Sequence, residues 1–273
     1  ARVRARNHVA AFIKSFYRRS DMSMLELTPD FIKEFAAYLS TEAGLRNGSI
    51  WANCMWLKGV VMKAHYNGLI PRNPFIQVHI SPNVKEREYL TEDELKAVMT
   101  HEFADSKLAY IRDIFIFASF TALSFVDIQE LTNDNIVEVN GEKWILSKRH
   151  KTKVAFQVKL LDIPLQIVER YRPMQKDNRI FPGLNYWSIC KPLKRMIREC
   201  GITKSISFHC SRHGFATLAL SKGMPIESVS RVLGHTNIVT TQLYAKITTQ
   251  KLDNDLTMFG DKLSKTFNGI TMS

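Results

Sequence analysis

The sequence predicts a mostly α-helical protein with one small antiparallel sheet, and three observations carry that expectation. From His8 to about Asn73, apolar residues recur at three- and four-residue spacing, the period of helices that bury one face. Asn140-Gly141 separates the runs NIVEV and KWILSK, and a two-residue Asn-Gly link between such runs is a hairpin signal because both positions tolerate positive φ. Helical periodicity then resumes and continues to the end of the chain.

In chain order, the first helix carries Val9, Phe12, Ile13, Phe16 and Tyr17. A second starts at LTPDFIKEF, with Thr28 as its cap, Pro29 in its first turn and Phe31, Phe35 and Leu39 as its apolar stripe. A third places Ile50, Cys54, Leu57, Val61 and Ala64 on one face and stops near Gly68. Periodicity lapses in HISPNVKEREYL, so the domain boundary is expected near residue 85, giving a helical domain over 1–84 and a mixed domain over 85–273. Thr91 and Glu94 then form a capping-box pattern, followed by an apolar helix from about Leu108 to Leu123. AFQVKLL is the expected third strand after the hairpin.

Composition narrows the function. The chain of 273 residues has 45% hydrophobic residues and a net charge of +12, which fits a globular protein with a polyanionic partner such as DNA or RNA. No run reaches the ~20 apolar residues of a membrane span, and no signal segment opens the sequence, so a cytoplasmic protein is expected. The opening at Ala1 reads as an interior starting point. Cys54, Cys190, Cys200 and Cys210 are scattered without close pairs, which predicts no disulfide framework. Cys200, His209, Cys210 and His213 match no usual zinc-finger spacing, and no metal or other cofactor is expected.

The chemistry concentrates in the last third. His209 and Arg212 lie three apart at the start of the periodic run Phe208 to Leu220, so on a helix they share a face. A helix N-terminus adds unpaired N–H groups and a positive dipole end, which suits an anion. Gly234-His235 and, nine residues later, Tyr244 follow. The blocks FHCSRHGFATLALSKG, VLGHTN and TTQLYAKI, together with YLTEDEL, FTALSFVDIQEL and the hairpin region, stand in the order found in the tyrosine recombinase (phage integrase) family. The chain resembles that family over roughly its whole length, and six ordered blocks are far more specific than one short motif.

The resemblance implies an N-terminal helical core-binding domain and a mixed catalytic domain that close as a clamp around duplex DNA. It implies that Tyr244 attacks phosphorus to give a 3′-phosphotyrosine and a free 5′-hydroxyl, and that the strands are exchanged through a four-way junction. Arg212 would grip nonbridging phosphate oxygens, which suits a planar guanidinium. His209 would bond the phosphate or help take the tyrosine proton, and His235 would contact the phosphate. A hairpin lysine would be the general acid: Lys151 first, with Lys148 and Lys153 as alternatives. Ser124 stands where the family usually has the arginine of Thr-Gly-Leu-Arg, while Asp127 matches the acidic position that orients the site. Arg112 lies close to three helical turns upstream of Ser124, on the same side but about 17 Å away along a straight helix, and is the candidate substitute. Some integrases of conjugative or mobilisable elements lack the same arginine, and the resemblance is nearest to these.

Arg18, Arg19 and Lys58 are expected to contact DNA phosphates, as are Lys148 and Lys153, which fixes register rather than sequence choice. Leu252, Leu256, Phe259 and Leu263 form an apolar stripe after the tyrosine. By resemblance, this helix docks on a neighbouring subunit in a DNA-bound homotetramer, with DNA-bending accessory proteins as further partners. His8, His65, His79, His101, His150 and His213 read as surface or structural histidines without a role. A type IB-like topoisomerase and a catalytically impaired DNA-binding regulator are the competing functions.

Overall fold

The computed structural model describes residues 2–82, 88–150, 153–175, 177–245, 249–266 and 268. The chain divides into two compact units, residues 1–86 and 87–273.

The first unit packs α1 (Arg2–Phe16), α2 (Pro29–Thr41) and α3 (Asn47–Tyr66) around a common core. Thr28 caps α2 by accepting the Phe31 N–H, and Pro29 occupies the first turn, where its missing N–H costs nothing. Phe31, Phe35 and Leu39 are buried as their spacing requires, as are Ile50, Cys54, Leu57, Val61 and Ala64 of α3. Phe12 is the hub: its ring centroid lies 5.1 Å from Phe31 and 5.5 Å from Phe35. Phe16 is the exception to the α1 pattern, since the helix stops there and the ring is exposed.

In the second unit, α4 (Glu92–Thr100) begins with the reciprocal box foreseen for Thr91 and Glu94. Next come α5 (Ser106–Thr121) and the short α6 (Phe125–Gln129). The strands β1 (Ile136–Val139), β2 (Glu142–Lys148) and β3 (Ala155–Lys159) form an antiparallel sheet in the order β1-β2-β3. Asn140 and Gly141 have φ of 53° and 77°, the left-handed pair that a tight hairpin needs. Val137 faces Trp144, and Ile145 faces Val158. The remaining helices are α7 (Asp162–Tyr171), α8 (Tyr186–Glu199), α9 (Cys210–Ser221), α10 (Ile226–Leu233), α11 (Val239–Gln242) and α12 (Thr249–Thr266).

Helix α5 is the spine of this unit. It packs against α4, α7, α8 and α9, and its residues from Ile114 to Ala118 are all buried, as expected for a helix surrounded by partners. It ends at Ala122, a buried non-glycine residue in the left-handed region with φ of 56°, a conformation that costs about 1–3 kcal/mol and persists only where its surroundings fix it. The Ala122 carbonyl thereby points to the side chain of Arg212, which donates to it. A smaller cluster of Ala122, Ala216, Leu220, Val229 and Leu233 backs this corner.

Candidate active site

The site is built at the C-terminal end of α10. The last carbonyls of a helix have no partner within it and carry the negative end of its dipole. Here two arginines take them. The Nη2 of Arg212 donates to the Leu233 carbonyl, and the Nη2 of Arg149 donates to the preceding carbonyl, Val232, at 2.5 Å. Gly234 terminates the helix with φ of 62°, and a Cβ there would stand 2.8 Å from Arg149 Nε and 2.9 Å from its Cγ. Glycine is needed at this point both for the backbone turn and for the passage of the Arg149 side chain.

Arg149 follows β2, and both guanidiniums are buried. Arg149 Nη1 donates to Asp127 Oδ2 at 2.7 Å, and its guanidinium carbon lies 4.1 Å from the centroid of the Phe156 ring. Its Nε has no protein partner among the described residues. Arg212 Nη1 donates to Ala122 O at 2.8 Å. Burial and then the neighbouring Arg149 charge lower Arg212 from 12.5 to about 10, while Asp127 and Tyr244 oppose the shift. Arg212 thus remains protonated at neutral pH. Burial also lowers Arg149, against the pull of Asp127. Two positive charges held together in a buried corner with one carboxylate leave an excess that an anion such as a phosphodiester can neutralise.

Asp127 ties the pieces together. Its Oδ2 accepts from Ser124 Oγ at 2.7 Å as well as from Arg149, and its Oδ1 accepts the backbone N–H of His150 at 3.0 Å. Burial alone would raise this carboxyl, yet the His150 N–H, the Ser124 hydroxyl and the Arg149 guanidinium together hold it below the usual carboxylate value. Ser124 also caps α6 by accepting the Asp127 N–H.

His235, after Gly234, has its pKa lowered from 6.5 to about 4 by burial first, then by Arg212, Arg149 and His209. It is neutral at pH 7 and keeps one N–H to donate. Its Nδ1 lies 2.9 Å from the hydroxyl of fully buried Thr241. His209 occupies the N-cap position of α9, is exposed, and has its ring centroid 4.6 Å from that of His213. Tyr244, half-buried just beyond α11, packs against the small cluster behind the site. Its hydroxyl lies 2.5 Å from His213 Nδ1.

The structure therefore brings together Arg212, His209, His235, Tyr244, Asp127 and Ser124. Lys148 and Lys153 are exposed on the hairpin that carries Arg149, while Lys151 lies outside the described residues. Arg112 is elsewhere: its Nε donates to Asp113 at 2.9 Å and its Nη1 to the His101 carbonyl at 2.8 Å. It sits in the first half of α5, and the length of that helix keeps it from the corner at Ala122, where Arg149 stands instead. Of the two readings open for His213, surface or structural, the structure takes the second. It is buried against Tyr244 rather than lying idle at the surface. In the first unit, Arg18 and Arg19 are exposed, Lys58 is half-buried, and Arg19 pairs with Glu26 at 2.6 Å.

Strand parity was the missed signal for Arg149. Ile145 is buried and Ser147 half-buried, while Leu146 and Lys148 are exposed, so the alternation of β2 carries the next odd position, Arg149, inward. The run SKRHKTK otherwise looks like a solvated charge cluster.

Comparison with known proteins adds the family. The Phage integrase family profile matches residues 88–251, and the Phage integrase SAM-like domain profile matches residues 1–80. The chain belongs to the phage integrase family. As a member it is a tyrosine recombinase, a DNA strand-transferring enzyme. It is 32% identical over 177 residues to tyrosine recombinase XerA of Pyrococcus horikoshii, an alignment covering 60% of this chain and 58% of that protein. It is 25% identical over 229 residues to tyrosine recombinase XerC of Lactobacillus leichmannii, covering 78% and 77%. Among solved structures, the Tn1549 transposon integrase in complex with a circular intermediate DNA superposes with a TM-score of 0.77 at 17% identity, covering 94% of this chain and 93% of that one. A lambda integrase dimer bound to a COC′ core site gives 0.67 at 17% identity, covering 89% and 87%. At that identity these two likenesses establish the shared fold. Among the described residues, no group of three or more His, Cys, Asp or Glu could hold a metal, and no helix is long and apolar enough to cross a membrane.

Proposed function

We propose that this recombinase is the integrase of a mobile element, cutting and rejoining specific DNA sites through a 3′-phosphotyrosine on Tyr244 and a four-way junction. The observation that carries the reading is the pair of guanidiniums, Arg149 and Arg212, held on consecutive carbonyls at the end of α10. Attack on a phosphodiester builds negative charge on the nonbridging oxygens, and fixed cations in a buried site stabilise it most effectively. Arg212 is the first clamp. Arg149 is the second, reaching the same Asp127 oxygen that the Ser124 hydroxyl reaches, and so supplies from the hairpin the charge missing at position 124.

His235 donates a further hydrogen bond to the phosphate, and exposed His209 meets it at the start of α9. Lys151 is the general acid for the departing 5′-oxygen, and Lys148 and Lys153 are its neighbours on the same hairpin. No external energy source is required, because the phosphotyrosine conserves the bond energy for religation. With a second arginine available, the main reason to expect an impaired regulator falls away. The recombinase names of the relatives likewise weigh against a topoisomerase.

Residues 1–84 act as the core-binding domain, with Arg18, Arg19 and Lys58 on phosphates, and 85–273 as the catalytic domain. Helix α12 exposes Leu252, Leu256, Met258, Phe259 and Leu263, an apolar stripe that a neighbouring subunit covers in a DNA-bound homotetramer. DNA-bending accessory proteins complete the assembly, in the cytoplasm. The test is covalent capture. The chain is incubated with nicked duplexes that include the ends of its element, and denaturant-resistant adducts are sequenced. Adducts sharing one sequence and absent in Tyr244→Phe are expected; efficient relaxation of arbitrary plasmids without a preferred site would instead favour the topoisomerase.

A further inference from the structure

The hydroxyl of Tyr244 lies 2.5 Å from a ring nitrogen of His213, a contact that plays no part in the phosphate clamp. We infer that His213 is a catalytic residue, the base that takes the Tyr244 proton during cleavage and returns it during religation. The inference rests on Tyr244 being the nucleophile.

Three features of the geometry support the assignment. His213 is buried on α9, directly after Arg212, so the element that positions the phosphate clamp also positions the base. The imidazole and phenol rings pack with centroids 5.2 Å apart and planes inclined by 44°, which aims the hydroxyl at Nδ1 rather than at the ring face. A phenol is a weak nucleophile at neutral pH, because its ordinary pKa near 10 leaves little phenolate, and a nucleophile hydrogen-bonded to an imidazole is the usual remedy. Neutral His213 with its proton on Nε2 leaves Nδ1 as the acceptor.

In cleavage the Tyr244 O–H proton passes to His213 Nδ1, and its electron pair stays on the phenolic oxygen as that oxygen bonds to phosphorus. The bond from phosphorus to the 5′-oxygen breaks with its electron pair on that oxygen, which takes a proton from a hairpin lysine ammonium. In religation the 5′-hydroxyl attacks and returns its proton to the lysine, and His213 gives its own back to the departing phenolate. The imidazolium forms beside Arg212 on α9 and against the ring of His209, and the negative phosphate entering the site offsets this crowding of positive charge. His209, which the sequence suggested as a possible proton acceptor, is left to the phosphate.

The decisive experiment compares adduct formation by the full chain on nicked duplex with either tyrosine or the more acidic 3,5-difluorotyrosine at position 244. Each is combined with His213, His213→Asn and His213→Gln. Asparagine can still accept a hydrogen bond near the Nδ1 position but cannot hold a proton, and glutamine repeats the test with a longer reach. With tyrosine, both variants should slow adduct formation by about 10²–10⁴-fold, the usual contribution of a positioned base. With difluorotyrosine that deficit should shrink by at least about tenfold, because a more acidic phenol depends less on its base. Equal deficits with the two phenols, or no deficit, in variants that retain DNA and the parent's circular dichroism would reduce His213 to packing and overturn the inference while leaving Tyr244 as nucleophile. Faster cleavage in either variant would overturn it by making the contact a restraint. No adduct from the parent chain would remove both readings together.

Discussion

Moving the arginine from position 149 to position 124 tests whether the hairpin arginine stands in for the one missing after α5. Arg149→Ala removes one partner of an ion pair whose side chains are 6% and 5% exposed, leaving Asp127 buried with the Ser124 hydroxyl and the His150 N–H. Breaking a buried pair from one side costs about 3–5 kcal/mol of stability. Losing one charge-stabilising donor from a site costs about 10²–10³-fold in rate. Ser124→Arg alone should also be harmful. It removes the cap of α6, worth about 1 kcal/mol, and crowds a second guanidinium onto the Asp127 oxygen that Arg149 already holds at 2.7 Å. In the double variant, the introduced guanidinium can approach Asp127 from the α6 side, where Ser124 Oγ now stands 2.7 Å from that oxygen. Adduct formation should then recover at least about tenfold over Arg149→Ala, a fraction of the lost donor's contribution. The assay is single-turnover capture on nicked duplex with protein in excess, alongside urea midpoints for each variant. A folded Arg149→Ala that cleaves at the parent rate, or a double variant no better than Arg149→Ala, would refute the reasoning.

Further outcomes follow from the same corner of the molecule. Gly234→Ala should cost about 1–2 kcal/mol for the left-handed backbone and about 1–3 kcal/mol more for displacing Arg149, read as a lower urea midpoint. Because the pKa of His235 falls from 6.5 to about 4 on folding, the unfolded chain binds the extra proton between those values. Its contribution is therefore neutral above about 6.5, and stability is progressively lost as pH falls toward 4. Denaturation midpoints should fall more steeply across that window for the parent than for His235→Gln. Thr241 fixes the ring orientation of His235 through its hydroxyl, so Thr241→Val should lower the cleavage rate while Thr241→Ser retains most of it. A full rate in Thr241→Val would release that residue from the site. Arg112→Ala should lose stability with its Asp113 and His101 bonds, yet cleave at the parent rate at temperatures where it is folded.

Much of the fold was legible because local chemistry and tertiary demands agreed. Thr28, the Thr91/Glu94 box and Asn140-Gly141 each act through neighbours within four residues, and each appears in the structure in the foreseen role. The stripes of α2 and α3 were readable for the same reason: one face is buried and the period is regular. Arg112 shares a side of the helix with Ser124, but α5 runs without a bend that would close the ~17 Å between them, and its guanidinium is taken by Asp113 and the His101 carbonyl. Arg149 was hidden in a run of charges, and only the two-residue alternation of β2 distinguishes it from Lys148. The Tyr244–His213 contact spans 31 positions in sequence, and no periodicity links a residue of α9 to one beyond α11. Asp127 was recognised by its place in a motif and Ser124 is its local cap partner, but Arg149 and the His150 N–H required the packing of the hairpin against α6.

The proposed chemistry requires a phosphotyrosine at one position, and peptide mapping of the trapped adduct tests this most directly. After capture on nicked duplex, nuclease trimming and tryptic digestion, mass spectrometry should find a nucleotide on the peptide spanning residues 232–246, bounded by Arg231 and Lys246, with fragmentation assigning it to Tyr244. Tyr244→Phe should retain DNA and give no modified peptide. Attachment at any other residue, or an adduct that persists in Tyr244→Phe, would contradict the account.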